Sequence, residues 1–167
     1  MSRAIALLVA ALGAPAALAC PAPGPIATAR WIYSNHSDFY EFRKGSADYL
    51  SGELLALLEK TWKCEESGDM CGPEAVPWTD AQDGDVLDKP SFRIAASTKA
   101  TASIEMTFRF GWKDSAEKAT SETARLMLAL DPTSNCWILD DLIGPKGSSL
   151  KRTLKQGDGN KSAAARR

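Results

Sequence analysis

The chain has 167 residues, 20 Lys and Arg against 21 Asp and Glu, a formal charge of −1, and 44% hydrophobic residues. That near-neutral balance excludes a general nucleic-acid binder, and the apolar content excludes a chain disordered throughout. A single histidine, and the lack of a Gly-x-Ser-x-Gly elbow, a phosphate-cradling glycine loop or a metal-ligand pair, leave no recognised catalytic signature.

Met1 to Cys20 opens with one positive charge at Arg3, continues as an apolar run from Ala4 to Ala14, and closes on Ala17-Leu18-Ala19 directly before Cys20. This is the pattern of a bacterial export signal. The run is too short to span a bilayer and is interrupted at Gly13 and Pro15, so residues 1–19 are expected to be a cleaved signal peptide and the working protein periplasmic or otherwise exported. Small residues at Ala17 and Ala19 suit ordinary signal peptidase. Lipoprotein processing also cuts before a cysteine, usually with a larger aliphatic residue in the place of Ala17. Cys20 is therefore both a lipidation candidate, giving a membrane tether, and a disulfide candidate. Residues 20–27, with Pro21, Pro23 and Pro25, read as a semi-rigid tether.

The 148 residues from Cys20 onward suffice for one domain that buries roughly two thirds of the unfolded chain's surface, expected over residues 28–155. Their charge is uneven. Residues 151–167 hold six bases against Asp158 alone, a net +5, and residues 20–150 carry −7. The basic tail, residues 156–167, is poor in apolar side chains and is expected to be disordered.

Cys20, Cys64, Cys71 and Cys136 allow three pairings. The turn-rich stretch from Glu65 to Met70 makes Cys64 and Cys71 the natural couple, a closure worth roughly 2.5 kcal/mol on the chain-entropy model. Cys136 then pairs with Cys20 or sits buried and free. One histidine and an oxidising destination disfavour zinc, and nothing in the sequence activates Cys136 as a nucleophile. No metal or cofactor is expected.

Ile32, Tyr33, Phe39 and Tyr40 recur at helical spacing between Ile26 and Phe42, and His36 shares their face. A second helix opens at the N-cap Ser51, with Glu53 in its first turn and Leu54, Leu57, Leu58 and Trp62 as its buried stripe. Residues 65–88 carry eight acids and no base and read as a long loop. The run from Asp80 to Asp85 has the carboxylates and glycine that calcium favours, without EF-hand spacing, so a solvated turn is the expectation. Gln82 and Asp83 are expected to hydrogen-bond the loop backbone, with partner contact as the alternative. Strands follow: Phe92, Ile94 and Ala96 alternate with polar residues, then Ile104, Met106, Phe108, Phe110 and Trp112 occupy every second position and should share a buried face. Ala124, Leu126, Leu128 and Leu130 form a further strand face, Asp131 to Asn135 a turn, and Cys136 to Leu142 a last strand. The fold class is α+β: two N-terminal helices packed on a curved antiparallel sheet of about four strands.

Phe39-Tyr40, Tyr49-Leu50-Ser51 before a leucine-rich helix, Trp78 through Gln82-Asp83, Trp137 to Leu142, and Gly147 to Leu154 occur in an order that resembles the bacterial envelope family of unknown function numbered 3828, which includes lipoprotein-like members. The likeness spans most of residues 28–155. It departs at Val76-Pro77, where an Asp-Pro pair would stand before the aromatic residue. It implies a cone-shaped, nuclear transport factor 2-like or cystatin-like fold and brings no catalytic residues. The expected function is a non-catalytic envelope module that binds an envelope protein or a cell-wall component. The alternative is a small-molecule-binding protein or enzyme with a pocket in the cone, for which His36 and Asp140 are the candidate residues.

Overall fold

The computed structural model describes residues 20–164 except Lys44 and Met70, with side chains followed as far as Gly157. The expected signal peptide lies outside the described residues. Helix α1 spans Gly24–His36 and α2 spans Gly52–Glu65; the strands are β1 Asp85–Val86, β2 Ser91–Ser97, β3 Thr101–Gly111, β4 Thr120–Leu130 and β5 Trp137–Ile143; helix α3, Leu150–Ala164, is the last described element. All strand pairings are antiparallel. The sheet order is β1-β3-β4-β5, with β2 on the same edge of β3 as β1, so the chain is α+β with a curled, half-barrel sheet.

Alternation in β3 and β4 builds the core. Ile104 stands opposite Leu126 and Met106 opposite Ala124, Leu126 in turn faces Leu142 on β5, and all five are fully buried. Helix α1 crosses this face with Ala29 and Ile32 against it, and α2 adds Leu54, Leu58 and Trp62. Ser51 caps α2 as expected, its Oγ accepting from the Leu54 N–H at 3.2 Å. Just before that cap, residues 49–51 run parallel to β5: Leu139 N–H donates to the Tyr49 carbonyl at 2.7 Å and Ser51 N–H to the Leu139 carbonyl at 2.8 Å.

Several expectations are corrected. Helix α1 ends at His36, and Phe39 and Tyr40 lie in the turns beyond it. Phe39 is buried there because its ring meets Trp78 edge to face at 6.0 Å, a contact from a distant loop. The stretch read as a tether is instead part of the folded body: α1 begins at Gly24 with Pro25 in its first turn, where a missing N–H costs nothing, and Ala22 is buried. Helix α3 is anchored to the body by the buried Leu150 and Leu154 of its first turns. Burial of the β3 face fades toward its end. Phe110 is half-buried and Trp112, past the last residue of the strand, is 58% exposed, as is Ile94 on the edge strand at 45%. The helices cover the middle of the sheet and leave its margins wet.

The acidic segment is more ordered than its composition suggests. It contains β1 and a bridge between Val76 and Ala81, and Trp78 is buried with its Nε1–H donating to the Ser37 carbonyl at 2.6 Å. The positive φ of Gly84 (110°) brings the chain against Phe110, whose ring would lie 2.5 Å from an added Cβ.

Candidate functional site

The four residues singled out as pocket or loop candidates do not converge. His36 closes α1, and its ring stacks on Tyr49 with centroids 4.3 Å apart and tilts against Trp31 at 4.6 Å. Tyr49 is fully buried and its Oη has no hydrogen-bond partner among the described residues. Burial, with Asp38 and Asp48 nearby, pushes the phenol pKa up to about 12, so it stays protonated.

Trp31 carries this cluster to the surface. With Pro21, Leu50, Leu55, Ile138 and Cys136 it walls a groove of about 620 Å³, edged by Asp48 and Asp131. The segment before the α2 cap and the turn before β5 come together here because the Tyr49–Leu139 pairing holds them side by side. The two carboxylates differ. Asp131 is committed to its own turn, accepting from Ser134 N–H at 2.8 Å and Ser134 Oγ at 2.6 Å, bonds that hold its pKa below the ordinary carboxylate value. Asp48 is exposed and its carboxylate makes no hydrogen bond or ion pair among the described residues. An aromatic wall beside an unengaged carboxylate suits a cationic amine lying on the ring face.

Asp140 occupies a different place. Met127 pairs with Asp141 and Leu128 with Leu139, which leaves Asp140 as the extra residue of a β-bulge. The bulge aims Asp140 at Lys151, 2.9 Å away, and Lys151 also reaches Glu53 at 2.5 Å while Lys155 reaches Glu53 at 2.6 Å. Burial works against the Lys151 ammonium, yet its bonds to Glu53 and Asp140 prevail and raise its pKa. Asp141 accepts from Lys151 N–H at 3.0 Å and Ser149 Oγ at 2.6 Å and so caps α3. Both acids thus tie β5 to α3.

Hydrogen bonds from Lys151 and then Lys155 hold the Glu53 carboxyl down to about 2 from an ordinary 4.5. A depressed acid contributes stability above its unfolded pKa and loses it as pH falls through its folded one. NMR titration of Glu53 is therefore expected to show a midpoint well below 4.5, with the α2–α3 linkage weakening only in strong acid. A midpoint at the ordinary value would remove the network.

Asp80, rather than Gln82 or Asp83, organises the acidic loop. At φ 51° it accepts from Lys146 N–H at 2.8 Å and from the Ser148 hydroxyl, while its carbonyl accepts from Lys146 Nζ at 3.0 Å. Gly144 is what lets the carboxylate in, since a Cβ there would stand 2.3 Å from it. Gln82 and Asp83 are exposed and make no side-chain hydrogen bond among the described residues, which corrects the expectation that they brace the loop. Asp83→Ala is accordingly expected to leave the melting temperature within about 2 °C of the parent, the usual result at an unengaged surface site; a larger fall in a thermal scan would contradict this. Nor does the Asp80–Asp85 run gather its carboxylates. Among the described residues the one group of three or more His, Cys, Asp or Glu with ligand atoms within 4.8 Å of one another is Cys64, Asp69 and Cys71, and both sulfurs there are disulfide-bonded. A second groove, of about 350 Å³, lies between this loop and α3, lined by Pro73, Glu74, Pro77, Asp80, Leu150 and Leu154 among others.

Cys64 is bonded to Cys71 and Cys20 to Cys136, the latter with Cα atoms 5.3 Å apart. Two disulfides fit a non-cytoplasmic, exported protein, and no helix among the described residues is long and apolar enough to cross a membrane. Trp31 and Asp48 escaped the sequence reading, and Asp80 entered it only as the first carboxylate of a calcium-like run, not as the anchor of its loop. An aromatic residue next to the buried Ile32 was a signal for the first; Asp48 stood among many acids with nothing local to separate it, and the partners of Asp80 lie 66 residues away.

Comparison of the chain with models of known families, with curated proteins and with solved structures returned no match.

Proposed function

We propose that the protein is an exported, non-catalytic binding module of the bacterial envelope, and that the groove beside its N-terminus receives a cationic amine of an envelope protein or a cell-wall component. The observation that carries this reading is the pairing of the Trp31 wall with the unengaged Asp48 carboxylate at the groove's edge. The residues best suited to catalysis are occupied elsewhere: Asp140 in an ion pair, His36 in an aromatic stack. Membership of envelope family 3828, with its nuclear transport factor 2-like or cystatin-like cone, belongs to the same reading, and a curled sheet crossed by helices on one face supports it.

The test is photocrosslinking in the envelope from Leu55 on the groove wall, beside pelleting with purified cell-wall sacculi. An adduct or pelleting that weakens roughly fivefold in Asp48→Asn is expected, the loss of one charge contact of about 1 kcal/mol. Crosslinking from Thr123 on the open sheet face but not from Leu55, or binding unchanged in Asp48→Asn, would overturn it. A small-molecule site remains the second reading on one observation: the groove's volume of about 620 Å³ falls within the roughly 300–1,000 Å³ of ligand pockets.

A further inference from the structure

We propose that the sulfur of Cys20 is consumed by Cys136 and that the mature chain is therefore a diffusible, N-terminally stapled domain rather than a lipid-anchored one. A thiol sulfur forms one further covalent bond. In a lipid anchor that bond goes to a diacylglyceryl carbon as a thioether; in the folded chain it goes to Cys136 Sγ. The disulfide forms as two thiols give up two protons and two electrons to a disulfide-donating oxidoreductase of the exporting compartment, and either product forecloses the other.

Three observations besides the bond itself favour the staple. Ala22, two residues on, is buried, and its carbonyl accepts from Thr28 Oγ1 at 3.5 Å. Pro21 lines the groove that Cys136 and Ile138 also line, and Pro23 edges a shallow depression shared with α1 and Ile94. Helix α1 begins at Gly24, which leaves three residues between Cys20 and the first turn, of which Ala22 is buried and Pro21 half-buried. A lipid at Cys20 would have no spacer and would press the face carrying Asp48 and Asp131 onto the bilayer. Cys136, only 5% exposed, would then be left as a reduced thiol in an oxidising compartment.

The experiment is intact mass spectrometry of the full-length gene product recovered from its exporting cell, unreduced, from soluble and membrane fractions. The expected result is a soluble chain starting at Cys20 with no adduct and a mass four hydrogens below that of the fully reduced polypeptide. In Cys136→Ser, alkylation without reductant is expected to label Cys20 while Cys64 and Cys71 stay protected. Acyl mass on Cys20 with an alkylatable Cys136, or a chain confined to the membrane fraction, overturns the proposal. So does a Cys20 that resists alkylation in Cys136→Ser. These outcomes do not depend on whether the groove binds an amine, so this inference and the proposed function fail separately.

Discussion

Replacing Cys20 and Cys136 together by serine is expected to cost about 4–5 kcal/mol of stability, and replacing Cys64 and Cys71 together about 2.5 kcal/mol, on the chain-entropy account of cross-links. The difference follows from loop length, since the bonded residues are 116 apart in the first case and 7 in the second. Each double replacement avoids leaving a lone thiol free to exchange. Urea unfolding of the two variants against the parent, followed by far-UV circular dichroism, measures both costs. The long-range variant should also show a larger slope with urea, because the unfolded parent is held compact by the cross-link. A smaller loss for Cys20 and Cys136 than for the short loop would mean that the N-terminus contributes little beyond its own bond, contrary to the burial of Ala22 and the start of α1 at Gly24.

Gly144→Ala is expected to destabilise by about 2–3 kcal/mol, although it adds a single methyl group. Gly144 is buried, and its new Cβ would stand 2.3 Å from all three atoms of the Asp80 carboxyl group. A free side chain would swing away, but Asp80 is held by the Lys146 N–H and the half-buried Ser148 hydroxyl, and leaving its place breaks both bonds. Asp80→Ala alone should cost a similar amount by losing those bonds. The double variant should cost clearly less than the sum, because the alanine at 80 leaves room for the one at 144. Thermal or urea unfolding of the four proteins closes the cycle. Additive costs would show that the two positions do not compete for the same space.

Local chemistry in the sequence was a sound guide to several elements. Ser51 caps α2 because its hydroxyl needs only an N–H three residues on, and that relation is written in the chain order. The alternation from Ile104 to Phe108 buries one face because strand geometry turns successive side chains to opposite sides. Asp131 folds its turn onto Ser134, and Cys64 meets Cys71 across a short reversing loop, for the same reason of proximity along the chain. The same alternation misplaced Trp112 and Ile94, since periodicity says which side a residue takes and not how far a covering helix extends.

The sequence by itself thus determined the α+β class, the capped second helix, the paired strands and the short disulfide, all of which rest on contacts between near neighbours or on side-chain period. Tertiary structure alone decided that Cys20 rather than no partner meets Cys136, that Asp80 reaches across 66 residues to Lys146, and that Trp31 and Asp48 edge one groove while His36 and Asp140 stand apart. The reason is physical. Such meetings depend on how α1 crosses the sheet and where the β5 bulge turns a carboxylate, and many distant pairings are compatible with one local pattern until the core is packed.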